Sequence, residues 1–204
     1  MEPTHSINPL LNRTMTLLTP EHKQTLLDTA LSSIEYSLIH DEPLVVNAEK
    51  YAHELQEPRA TFVTLKINRM LRGCIGILEA VRPLVVDVAQ NARAAAFSDP
   101  RFSPVSRSEF DLLDIEISIL TPFKEIQFTS QDDLISQLIA GKDGLILEEG
   151  RNYRGTFLPS VWHSLPDPNN FLRQLKQKAG LSPDYWSETL RIYRYNVESI
   201  PDNE

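Results

Sequence analysis

The stretch Leu71-Arg72-Gly73-Cys74-Ile75-Gly76 constrains this chain more than any other. It holds the single cysteine, two of the seven glycines, and an arginine two places before the thiol. Upstream, Thr61-Phe62-Val63-Thr64-Leu65-Lys66-Ile67 has Val63, Leu65 and Ile67 on one side, the period of a strand. Asn68-Arg69-Met70 reads as a three-residue turn, because asparagine tolerates the left-handed conformation. Residues 61–78 therefore form a hairpin, with the six-residue stretch on its return strand. Side chains alternate faces along a strand, so Arg72, Cys74, Gly76 and Leu78 share one face and Leu71, Gly73, Ile75 and Ile77 the other. That sets the Arg72 and Cys74 Cα atoms roughly 6–7 Å apart. A guanidinium at that range favours thiolate over thiol in a partly dry site. Gly73 and Gly76 let another backbone or a ligand approach the sulfur. A plainer reading stands beside this one: free cysteine is among the most buried residue types and often only packs.

The rest of the chain supplies helices and further strands. Thr19 caps a helix that starts at Pro20 and runs to His40, with Leu27, Leu31, Ile34 and Leu38, and Leu26 and Ala30 beside them, as its apolar stripe. Residues 47–55 form a short helix capped by Asn47. A third helix starts at Pro83, buries Leu84, Val85, Val88, Ala92, Ala95 and Ala96, and is stopped by Pro100. Asp99-Pro100-Arg101-Phe102 is a compact charged turn, either an ion pair that locks a loop or part of a site. Asp114–Leu120 alternates cleanly, with Ile115, Ile117 and Ile119 facing the core and Glu116 opposite. If this strand joins the same sheet in a suitable register, Glu116 lies near Arg72 and Cys74. Beyond Pro122, Thr129-Ser130 caps a helix to Ala140 closed by Gly141, and strands follow at 145–148 and 154–159. His163, beside Trp162, is the best general-base candidate for a Cys74 nucleophile. Asn169 or Asn170 caps a last helix closed by Gly180, and 190–197 is a last strand. With no βαβ repetition, the class is α+β, antiparallel sheets with flanking helices. Residues 1–18 read as a flexible leader and 19–204 as a single domain with a smaller subdomain within it.

Charge and composition narrow the function. The net charge of −8 argues against broad sequence-independent nucleic-acid binding, which depends on neutralising phosphates. A small ligand, a structured RNA held by few contacts, or a protein partner stays open. No run approaches the roughly 18 apolar residues of a membrane span, and the first residues lack a signal-peptide pattern. One cysteine excludes an internal disulfide framework and a cysteine-cluster zinc site, and fits a cytoplasmic protein. His5, His22, His40, His53 and His163 have no paired spacing, so neither a metal nor another cofactor is expected.

The motifs also stand in a recognisable order. Phe62-Val63-Thr64-Leu65, Leu71 to Gly76, Arg82-Pro83-Leu84, Asp99-Pro100-Arg101-Phe102 and Glu116-Ile117-Ser118 are followed by Gly141-Lys142-Asp143-Gly144-Leu145, Leu158-Pro159 with Val161, and Lys178-Ala179-Gly180-Leu181. In that order and spacing the chain resembles the AMMECR domain family, whose prokaryotic members are called AmmeMemoRadiSam system protein A. The resemblance covers about residues 20–200, and the LRGCIG motif matches at every position. It implies two closely packed subdomains with a cleft at the motif, and partnership with Memo-like and radical-SAM proteins. It carries over Cys74, Arg72 and Glu116 as catalytic candidates, and Arg72, Gly73, Gly76, Asp99, Arg101 and Pro159 as binding candidates; His163 joins the binding set on its sequence context alone. Two functions follow: a ligand- or partner-binding module, or a thiol-dependent enzyme with Cys74 as nucleophile in a modification pathway, of RNA for example.

Overall fold

A computed structural model of the chain describes residues 17–201. The expected leader, 1–18, lies almost wholly outside the described residues. The described residues divide into two compact units, one built from 17–120 with 198–201, the other from 121–197.

The first unit packs two helices on one face of a sheet. Helix α1, Pro20–His40, begins as the sequence predicts: Thr19 is the N-cap, its hydroxyl accepting from the His22 N–H, and Pro20 opens the helix. The segment expected to be one short helix is broken into a 3-10 turn, Ala48–Lys50, capped by Asn47, and helix α2, His53–Gln56. Strands β1, Thr61–Ile67, and β2, Met70–Gly76, form the hairpin. Helix α3 covers Leu84–Phe97, with Pro83 just before it as the N-cap rather than inside it. The four-residue helix α4, Arg107–Phe110, leads to β3, Asp114–Leu120. The sheet order is β2-β1-β3-β8, where β8 is Val197–Ile200, and β1 is antiparallel to both β2 and β3. Leu26, Ala30 and Ile34 of α1, the apolar side of α3, Val63 and Leu65 of β1, and Ile115, Ile117 and Ile119 of β3 make the core.

A buried polar knot fixes α3 on β1. Asp87 is fully buried; its Oδ2 accepts from the Thr61 N–H at 3.0 Å, the Thr61 hydroxyl at 2.7 Å and Asn91 at 2.8 Å. Arg82 pairs with its Oδ1 at 2.6 Å. Burial pushes the Asp87 carboxyl above its ordinary value, against the donors that favour its charged form. The Arg82-Pro83 step is thus held at the start of β1.

The second unit has its own sheet, order β4-β7-β5-β6, made of Lys124–Glu125, Arg191–Tyr195, Gly144–Glu149 and Tyr153–Phe157. Its core joins Leu145, Leu147 and Ile192 to Trp162, Phe171, Leu172 and Leu175. Three sequence expectations change here. Helix α5 spans only Gln131–Ser136, because Arg194 takes the Gln137 carbonyl and the Asp143 carboxylate takes the Ile139 N–H. Helix α6, Pro168–Lys178, is capped by Asp167, not by an asparagine: Pro168 fits the first helical position, so the chain enters the helix earlier. The last strand is two, because Asn196 exchanges hydrogen bonds with Thr121 and ends β7 before β8 begins in the other sheet.

Candidate functional site

The hairpin turn is shorter than expected. Asn68 and Arg69 both have positive φ, 51° and 64°, so the connection is two residues, the conformation that best matches strand twist. A β-bulge follows: Leu65 pairs with Gly73 and Lys66 with Leu71, leaving Arg72 as the extra residue. A two-residue turn and a one-residue bulge use the same length of chain as a three-residue turn. Thr64 therefore still pairs with Cys74, but Arg72 leaves the alternation that would have set it beside the sulfur.

Arg72 instead reaches across to α4. Its Nε and Nη2 donate to the two Glu109 oxygens at 2.8 and 3.1 Å, and Nη2 also donates to the Pro104 carbonyl at 3.3 Å. Its Nη1 is buried with no hydrogen-bond partner among the described residues. Glu109 also accepts from the Ser106 N–H and hydroxyl as the last member of a capping box. With Arg72 as the main cause and Ser106 next, the Glu109 carboxyl is pulled down to about 2. Glu109 was not singled out from the sequence; the Ser106-x-x-Glu109 spacing was its visible signal.

Cys74 is half-buried and lies on the opposite face from Gly73, whose side faces α3. Its sulfur accepts a hydrogen bond from the Thr64 hydroxyl at 3.2 Å. No imidazole, amine or carboxylate among the described residues bonds the sulfur. Thr64 pairs on its other side with Glu116, so Cys74, Thr64 and Glu116 lie in a row across three strands. Glu116 joins the sheet as anticipated, yet its Oε2 receives Lys66 Nζ at 2.6 Å, and Thr64 stands between it and the thiol.

The Asp99-to-Phe102 turn lies against the outer edge of β2. Asp99 Oδ2 accepts the Cys74 N–H at 2.8 Å, and Arg101 Nη2 donates to the Cys74 carbonyl at 3.3 Å. Arg101 Nε and Nη2 hold both Asp99 oxygens, at 2.9 and 2.6 Å. These donors, Arg101 foremost, hold the Asp99 carboxyl well below the usual carboxylate range. The Arg72 and Arg101 guanidiniums lie 5.9 and 5.5 Å from the Phe102 ring centroid. The two glycines serve the chain itself. A Cβ at Gly73 would stand 2.2 Å from the Ala95 carbonyl oxygen of α3, and one at Gly76 would meet the Thr61 carbonyl and the Phe62 ring.

Pro159 and His163 belong to the second unit, at the two ends of a 3-10 turn, Pro159–His163. His163 is exposed, whereas its neighbour Trp162 is buried, stacked on Phe171 and bonded to the Asp143 carbonyl. No group of three or more His, Cys, Asp or Glu suited to a metal ion is found among the described residues, and no described helix is long and apolar enough to cross a membrane.

Residues 27–200 match the AMMECR1 family. This chain belongs to that family. A protein of Methanocaldococcus jannaschii is 39% identical to it over 164 residues, 76% of this chain and 79% of that one. A protein of Sulfolobus acidocaldarius is 43% identical over 162 residues, 74% of this chain and 70% of its own length. The crystal structure of an uncharacterized protein from Pyrococcus horikoshii has the same fold, with a TM-score of 0.80 at 34% identity over 89% of this chain and 92% of that one. The resemblance read from the motifs thus holds for the AMMECR1 chain nearly end to end.

Proposed function

We propose that this AMMECR1 chain is a binding module whose ligand-facing group is the Arg101 guanidinium beside Cys74. The observation that carries the reading is the contrast between two arginines. Arg72 is 14% exposed and committed to Glu109. Arg101 is 54% exposed, while its carboxylate partner Asp99 is 2% exposed. The pair is neutral in sum, but it turns its positive end to solvent. Nε and Nη2 fix the guanidinium in place, and Nη1 has no hydrogen-bond partner among the described residues. A preset guanidinium suits a carboxylate or phosphate oxygen. The ligand class is therefore an anionic group, on a small molecule or on a partner, with Memo-like and radical-SAM proteins as the partners implied by the family resemblance.

The test is a titration of the full chain with inorganic phosphate and with acetate, followed by NMR at the backbone amide of position 74. A saturable shift that disappears in Arg101→Ala and persists in Cys74→Ala is expected. Equal shifts in wild type and Arg101→Ala would sink the reading. One observation favours a thiol-dependent enzyme instead: the sulfur faces away from the core, where a cysteine chosen for packing would lie. Against that reading, nucleophilic catalysis needs a base, and among the described residues only a hydroxyl bonds the sulfur. Alkylation of the single cysteine across pH separates the two. An apparent pKa well below the ordinary value of about 8.5, rising in Arg101→Ala, would favour the enzyme.

A further inference from the structure

Strand β2 is an edge strand, and an edge presents outward N–H and C=O groups on which another strand can pair. In an antiparallel pair, a residue whose amide groups do not bond its partner points both of them the other way. Cys74 is such a residue. Its N–H and C=O turn away from Thr64, which also explains why the two side chains come close enough for the 3.2 Å contact. Both outward groups are taken by side chains: the N–H by the Asp99 carboxylate at 2.8 Å, the C=O by Arg101 Nη2 at 3.3 Å. One acceptor and one donor, tied to each other, meet one donor and one acceptor of a strand. That is the exchange a paired β residue would make.

The same segment is fastened further along. Val105 N–H donates to the Ala96 carbonyl of α3 at 2.9 Å, Arg72 holds the Pro104 carbonyl, and Glu109 closes the Arg72 pair. Both guanidiniums also lie over the Phe102 ring.

We infer that residues 99–109 are a strap that seals the edge of the motif strand, with Asp99 and Arg101 acting as a surrogate strand residue opposite Cys74, and that the strap keeps other strands off β2. Both carboxylates that anchor it stay ionised at neutral pH, so it is closed under ordinary conditions. A ligand then reaches Cys74 across the face shared with Thr64, not along the edge. The inference stands independently of the anion-binding reading, because it concerns the backbone of Cys74 and not the free nitrogen of Arg101.

Amide hydrogen exchange resolved by residue tests it. In the wild type, the Cys74 amide is expected to be protected within about tenfold of the inward-facing Gly73 and Ile75 amides. In the double variant Asp99→Ala/Arg101→Ala, the Cys74 amide is expected to exchange at least about a hundredfold faster while Gly73 and Ile75 keep their rates. Light scattering should then report concentration-dependent association of the double variant beyond that of the wild type. Rapid exchange at Cys74 in the wild type overturns the inference without any variant. So does a folded double variant with the wild-type exchange rate at Cys74, or with the wild-type mass at every concentration measured.

Discussion

Gly73 shows how a residue in a signature motif can answer to packing alone. The α3 backbone lies so near that a methyl group would stand 2.2 Å from the Ala95 carbonyl oxygen, and the obstacle is backbone, which cannot rotate away. Glycine is what lets the helix sit down on the strand, and so what lets Ala92, Ala95 and Ala96 of α3 be fully buried. Gly73→Ala is expected to cost about 3 kcal/mol or more, at the upper end of overpacking penalties. Urea denaturation of the purified variant checks this; a loss below about 1 kcal/mol would mean that α3 shifts to make room. In the sequence the glycines offer space for a backbone or a ligand, and at Gly73 the backbone that fills it is the chain's own. Arg72 went the same way. Its spacing from Cys74 suggested an activated thiol, but its guanidinium meets a carboxylate 37 residues on, a partner no local pattern around the motif could reveal.

Among the elements, those with a local cause were legible. Helix α1 has its cap and its first-position proline written at its start, and it begins as written. Its buried face, however, runs through Leu26, Ala30, Ser33, Ile34 and Ser37, so that Leu31 of the expected stripe is exposed and Leu27 and Leu38 are only partly buried. The alternating isoleucines of β3 face the core, as their period requires. The elements that differed are those whose ends are set from far away. Helix α5 stops where Arg194, 57 residues on, takes its carbonyl, and the last strand divides where Asn196 meets Thr121. The bulge at Arg72 is a third such case, since nothing in the local composition separates a three-residue turn from a two-residue turn plus one bulged residue. The α6 cap, by contrast, has a local cause in the Asp167-Pro168 step, and it yields a clean test. Asp167 accepts the Asn170 N–H at 2.8 Å, and Pro168 follows it. Asp167→Ala should lower stability by about 1 kcal/mol and Asn169→Ala by only a few tenths. Thermal unfolding of the two variants side by side decides it. A larger loss in Asn169→Ala would return the cap to the asparagine.

At the scale of the whole chain, 28 acidic residues face 20 basic ones, and the carboxyls lowered furthest among the described residues are Asp99 and Glu109 of the strap. Their effect on stability has a definite sign. Each carboxyl has a lower pKa folded than unfolded, so the folded state binds fewer protons, and stability rises with pH through the interval between the two values. For Glu109 that interval runs from 4.5 down to about 2. Its contribution is complete above the upper limit and is lost as pH falls through the lower one. Asp87 acts in the opposite sense. Burial raises its pKa, so the folded state holds its proton more tightly and gains stability as pH falls below the raised value. Acid therefore loosens the strap while it relieves the buried carboxylate beneath α3. Glu109→Gln keeps the side-chain shape and one oxygen but removes the charge. Its stability deficit relative to wild type should be constant from neutral pH to about 5 and should shrink steadily toward pH 2. Urea unfolding of both proteins at a series of pH values measures that deficit. A deficit unchanged across the acid range would mean that Arg72 does not lower the Glu109 pKa, and that the far end of the strap is held by the Ser106 cap and Pro104 without help from charge.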